Sequence, residues 1–182
     1  LRMAVAKDPV EPLLTWMKPT SRTPAALLTE VAATLGQHGT EEQLQAFAAG
    51  LAGDSEAMLS TRTMAVLGAL TPQIVKRKSA SRPTEGMTLG SIIAADKQRE
   101  SWQAFLKQLA AKAKEFALSE NAAADDALLA INYLPLTDQG DQVLSELLAK
   151  KLPQPLQIAA ITAFARVGSD NAWGELLDRV PQ

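Results

Sequence analysis

The chain predicts an all-α fold, an α-solenoid built from antiparallel helix pairs. Three observations carry that expectation. Apolar residues recur at three- and four-residue spacing through most segments, which gathers them on one face of a helix. Hydrophobic residues make up 47% of the 182 positions but aromatic ones only 4%, so alanine and leucine supply the apolar surface, as closely packed helices require. Helix–turn–helix units recur at a spacing of about 30 residues, the range of helical repeats that must stack to bury their faces.

The clearest unit runs from Leu152 to Val180. Pro155 stands at the start of its first helix, where a missing N–H costs nothing. Leu156, Ala159, Ala160, Ala163, Phe164 and Val167 form one stripe, and Gly168 is expected to stop the helix. Ser169 or Asp170 then caps a second helix striped by Trp173, Leu176, Leu177 and Val180. A linker of two or three residues makes the pair an αα-hairpin. Upstream, Ala130, Ile131 and Leu134, a turn from Thr137 to Gln142, and then Val143, Leu147 and Leu148 repeat the grammar. Glu146-Leu147-Leu148 stands over Glu175-Leu176-Leu177. A third version joins Val31–Gly36 to a helix opened by a Thr40/Gln43 capping box.

Taken in order, Leu1 to Val5 reads as the tail of a helix in an excised fragment. Asp8 and Pro9 open a short helix bearing Val10, Leu13, Leu14 and Met17, with Pro12 tolerated in its first turn. Pro19 ends it by driving Lys18 from helical geometry. Thr23-Pro24 starts a helix carrying Leu27, Leu28, Val31, Ala32 and Leu35, with Gly36 expected at its end. Thr40 opens the next, with Leu44, Phe47, Ala48 and Leu51 inward and Gly50 and Gly53 marking its exit. Asp54-Ser55 is expected to cap a helix bearing Met58, Leu59, Met64, Leu67 and Leu70. Thr71-Pro72 signals a further start, with Ile74 and Val75 following and Lys76-Arg77-Lys78 at its negative end.

Ser79 to Gly86 reads as a loop, and Met87 to Ala94 fits either a short helix or an extended segment. The expected organisation is therefore helical repeats over 1–78, an irregular connecting loop over 79–95, and a long helix plus regular repeats over 96–182. All of it belongs to one continuous solenoid. Asp96 to Leu118 is the longest helical pattern, with Trp102, Phe105, Leu106, Leu109, Ala113 and Phe116 inward and Lys107, Lys112 and Lys114 outward. Asn121 is expected to cap the following helix, which Pro135 ends.

The same residues exclude several classes of function. A formal charge of −2 provides no field for nucleic acid or an anionic membrane surface. The absence of cysteine removes disulfides, thiolate zinc sites and covalent haem attachment within the chain. No apolar run approaches the roughly 18 residues of a membrane span, so membrane insertion is not expected. His38, the single histidine, lies between Gly36 and Gly39 and has no second histidine to complete a metal site or support a general base; it reads as a solvent-exposed turn residue.

Glu41-Glu42 and Asp125-Asp126 are neighbours about 100° apart on a helix, too divergent for a catalytic pair and well placed for helix starts. Lys76-Arg77-Lys78 with Arg82 is a small basic cluster without interleaved aromatics. The glycines of Gly86-Met87-Thr88-Leu89-Gly90 lack the strand–loop–helix setting of a phosphate cradle. No catalytic, cofactor-binding or metal-ligating residue is assigned, and no cofactor is expected. The expected partner is protein. Trp16, beside its stripe, is a candidate anchor, with burial against a neighbouring repeat the favoured alternative, whereas Trp102 lies on a stripe and reads as core. Ser145, Trp173 and Glu175 lie on the second helices of their pairs and are candidate contact positions on a concave face.

The run Leu156-Gln157-Ile158-Ala159-Ala160, followed by Ala163-Phe164 and Gly168-Ser169-Asp170, resembles the short HEAT-like repeat. It departs from that pattern at Gln157, where such repeats often carry arginine. From about Pro24 onward, the order of pieces resembles the HEAT segment of large bacterial proteins of the membrane-bound dehydrogenase type. In those proteins a sugar-dehydrogenase-like β-propeller precedes the repeats and a c-type cytochrome follows. The resemblance implies an ARM-like α-α superhelix acting as a non-catalytic spacer or docking segment of a periplasmic or otherwise extracytoplasmic redox protein. A free-standing cytoplasmic HEAT-like adaptor is the second reading. A small α-helical lyase or hydrolase with a site near residues 79–95 is the third, and it lacks an acid–base pair.

Overall fold

A computed structural model describes residues 8–76, 96–119, 121–137 and 139–167. Every regular element among the described residues is helical. The helices are α1 (Val10–Met17), α2 (Ala25–His38), α3 (Glu41–Gly53), α4 (Ser55–Met58), α5 (Thr61–Lys76), α6 (Asp96–Leu118), α7 (Ala124–Tyr133), α8 (Gly140–Leu148) and α9 (Gln154–Val167), with a 3₁₀ turn over Leu134–Leu136. The chain forms two compact units, Leu1–Leu109 and Ala110–Gln182.

In the first unit, α1 begins where the Asp8 carboxylate accepts from the Val10 amide at 3.1 Å, and it buries Val10, Leu13 and Met17. It stops at Met17 because Lys18, held at ψ 145° ahead of Pro19, cannot continue the helix. The Thr40/Gln43 capping box opens α3. The Gln43 amide donates to Thr40 Oγ1 at 3.2 Å, and the Thr40 amide donates to Gln43 Oε1 at 2.9 Å. Leu44, Phe47, Ala48 and Leu51 are buried on α3 as the periodicity requires. Each of the three larger side chains contributes about 1.5–3 kcal/mol through burial.

Three glycines and prolines act differently from their sequence expectation. Gly36 does not end α2, which continues to His38. Gly36 is buried where α2 meets α5, and a Cβ there would lie 2.6 Å from the Leu70 carbonyl oxygen and 3.0 Å from Gln73 Cβ. Gly50 likewise sits inside α3, where a Cβ would run into Leu14 Cδ1 of α1. Both are sites of close helix approach rather than helix exits. Pro72 does not start a new helix but lies within α5. It faces solvent, and the residue four positions earlier, Gly68, has open space around it, so the lost hydrogen bond falls on the outer side while Leu70 and Ile74 hold the inner side in place.

The segment expected as one helix from Asp54 through Leu70 is divided at Leu59-Ser60 into α4 and α5. Ser60 provides the reason: its hydroxyl accepts from the Thr63 amide at 3.3 Å, a capping bond that starts a new helix at Thr61. The fully buried Thr63 hydroxyl pairs with Ser60 Oγ at 3.3 Å. Within this unit α1 packs on α2 and α3, α4 follows on α3, and α2 packs extensively against α5.

Helix α6 covers the predicted span without change. Trp102, Phe105, Leu109, Ala113 and Ala117 are buried at successive three- and four-residue steps. The rings of Trp102 and Phe105 stack at 5.5 Å between centroids. Lys107 and Lys114 are exposed, and Lys112 pairs with Glu115 at 2.7 Å.

In the second unit, α7 is not capped by Asn121. Its N-cap position is Ala123, two residues later, while the Asn121 amide donates to Ser119 Oγ at 3.3 Å. Asp125 and Asp126 occupy the first turn instead, where the helix dipole favours negative charge. Tyr133 ends α7, and Leu134-Pro135-Leu136 continues as a 3₁₀ turn, as Pro135 leads one to expect. Thr137 Oγ1 then donates to the Leu134 carbonyl at 2.8 Å and the Gly140 amide to the Thr137 carbonyl at 3.2 Å, folding the chain tightly into α8. Helix α9 packs against both α7 and α8, and buries Ala160, Ala163 and Phe164. Gly168, Ser169 and Asp170, and the second helix expected over Trp173–Val180, lie outside the described residues.

Candidate functional site

Of the four candidate contact residues, two are described. Trp16 lies on α1 beside the buried Val10, Leu13 and Met17, and its side chain is half-buried. Ser145 is half-buried on α8, next to the buried Leu144, and its carbonyl accepts from the Ala149 amide at 3.2 Å. Trp173 and Glu175 lie outside the described residues.

Around Trp16 the structure reveals a residue that the sequence pattern does not mark. The Arg62 guanidinium, carried by α5, donates Nη1 to the Trp16 carbonyl at 3.0 Å and to the Lys18 carbonyl at 3.5 Å. Its Nη2 donates to the Thr23 carbonyl at 2.6 Å. A planar fork of fixed donors suits this task, because carbonyls at the end of one helix and the start of another can be held at once. Arg62 therefore fastens the connection between α1 and α2, and with it the backbone that carries Trp16. These three partners are main-chain oxygens, which leave no side-chain signature in the sequence. Beside it, Lys18 meets Asp54 at 3.5 Å, but both side chains are about half exposed (50% and 49%), so the pair contributes little.

The remaining titratable candidates are dispersed over the helix ends. His38 is exposed at the last position of α2, the end of a helix rather than the turn beyond it. Glu41 and Glu42 are exposed in the first turn of α3. Lys76 is exposed at the end of α5, while Arg77, Lys78, Arg82 and the whole of 79–95, including Gly86–Gly90, lie outside the described residues. Among the described residues no group of three or more histidine or acidic side chains is placed to hold a metal ion. No described helix is long and apolar enough to cross a membrane.

Two buried polar groups remain. Trp102 Nε1 is buried without a hydrogen-bond partner, next to the stacked Phe105 ring. Tyr133 is buried at the end of α7, and desolvation pushes its phenol well above the ordinary tyrosine range. The arrangement offers half-buried surface positions on helices and no assembled reaction chemistry among the described residues. No known protein family, curated protein or solved structure matches this chain.

Proposed function

We propose that this chain is a HEAT-like helical-repeat scaffold that binds protein rather than transforming a substrate. It serves as a spacer or docking segment of a larger extracytoplasmic redox protein. The observation that carries this reading is the pairing of helices that are not neighbours in sequence. In the first unit, α2 packs extensively on α5 across the intervening α3 and α4, and in the second, α7 packs on α9 across the intervening α8. Gly36, near the end of α2, lies against Leu70 and Gln73 in the later part of α5. Extensive contact in that register requires the two helices to run side by side in the same direction. First helices of successive pairs laid parallel on one another are the grammar of a solenoid.

The second unit supports the same reading. Shifting the chain so that Glu146 falls on Glu175 carries the buried Ala127, Ala130, Ile131 and Leu134 onto Leu156, Ala159, Ala160 and Ala163. The last two of these are fully buried, and the first two are half-buried. One inward face thus recurs in two helices a single repeat apart. Arg62 supports a docking role for the first unit, since a half-buried tryptophan on a fastened backbone loses little freedom when a partner covers it.

Calorimetry of the chain with separately expressed propeller and cytochrome segments of its parent polypeptide tests the proposal. Binding is expected, weakened roughly tenfold or more by Trp16→Ala with the melting temperature little changed. Absence of binding to every such segment would overturn it.

A further inference from the structure

We draw no further inference here: the strongest candidate, the exposed apolar strip of Ile158 and Ile161 along α9, is an unpartnered helix face, and nothing in the structure shows what covers it.

Discussion

Replacing Gly36 with alanine tests the packing of α2 on α5 at its tightest point. The added Cβ would stand 2.6 Å from the Leu70 carbonyl oxygen, where ordinary contact begins at 3.4 Å, and 3.0 Å from Gln73 Cβ. Neither obstacle is the end of a flexible side chain, so the helices themselves must separate by several tenths of an ångström. That separation loosens Leu28, Val31, Ala32 and Leu35 against Met64, Leu67, Leu70 and Ile74, all of them buried. Overpacking of this kind costs about 1–3 kcal/mol, while alanine returns up to about 1 kcal/mol through helix propensity. The net expectation is a loss of about 1–2 kcal/mol, with a fall in Tm of about 2–4 °C for each kcal/mol in a chain of this length. Gly68→Ala is the internal control. It lies in α5 with nothing within 4 Å of its Cβ position, so propensity alone acts, and a gain of about 0.5–1 kcal/mol is expected. Urea unfolding followed by circular dichroism measures both, with an unchanged m-value as the check that the folded state is the same. Opposite signs support the reasoning. Gly36→Ala matching or exceeding the wild type would refute it, as would rescue by Gln73→Ala, which leaves both obstructing atoms in place.

Gly140→Ala places a Cβ against the Leu134 carbonyl and 3.3 Å from Thr137 Oγ1, so a loss of about 2–3 kcal/mol in urea unfolding is expected; wild-type stability would mean the turn into α8 is built otherwise. Arg62→Met keeps the aliphatic stem but removes all three carbonyl bonds, and a loss of about 1–3 kcal/mol is expected for a half-buried charged donor. Amide hydrogen exchange at Ser21 and Thr23 is expected to accelerate in that variant, and unchanged exchange there would count against the Arg62 fastening. Tyr133 is the single tyrosine, and burial keeps its proton on in the folded state to higher pH than in the unfolded chain, where the phenol ionises near pH ~10. Its contribution to stability is therefore complete below about pH 10 and is lost by about 1.4 kcal/mol per pH unit above it. The ultraviolet absorbance of the phenolate reports this one residue, and a titration midpoint at the unfolded value in the folded protein would contradict its burial.

Local signals were legible where one residue's physics decides the outcome. The capping box at Thr40, the displacement of Lys18 by Pro19, the four inward residues of α3 and the whole span of α6 follow from neighbours within one or two turns. Glycine and proline were less informative, because the same residue serves two ends. Gly36 carries the local mark of a helix stop, yet its lack of a side chain is used to let α5 approach. Pro72 carries the mark of a helix start, yet it is tolerated inside α5 because its gap faces outward. Only the neighbouring helix distinguishes these uses, and that neighbour lies more than thirty residues away in the case of Gly36 and Leu70. Trp16 was legible as a residue standing off its stripe, but Arg62, which fixes the backbone beneath it, was not. Carbonyl oxygens are present at every position, so a guanidinium that seeks them leaves nothing to read.

The parallel pairing of α2 with α5 also bears on what counts as a folding unit. A sequential pair such as α2 and α3 carries two apolar stripes and a capped turn, which suffices to suggest a hairpin that closes on itself. In the structure the two helices meet only sparingly, and the stripe of α2 is covered chiefly by α5. Leu28, Val31, Ala32 and Leu35 are buried only once the chain has passed through α3 and α4 and returned. The turn therefore fixes direction, while the energy of burial on α2 comes chiefly from α5. That division explains why local periodicity located most of the helices, whereas the expected closing of neighbouring helices on each other did not give the main partner of α2. It also explains why a surface carried on α1 depends on a helix distant in sequence: the backbone of Trp16 is held by Arg62 from α5, two helix connections beyond the pair that follows α1.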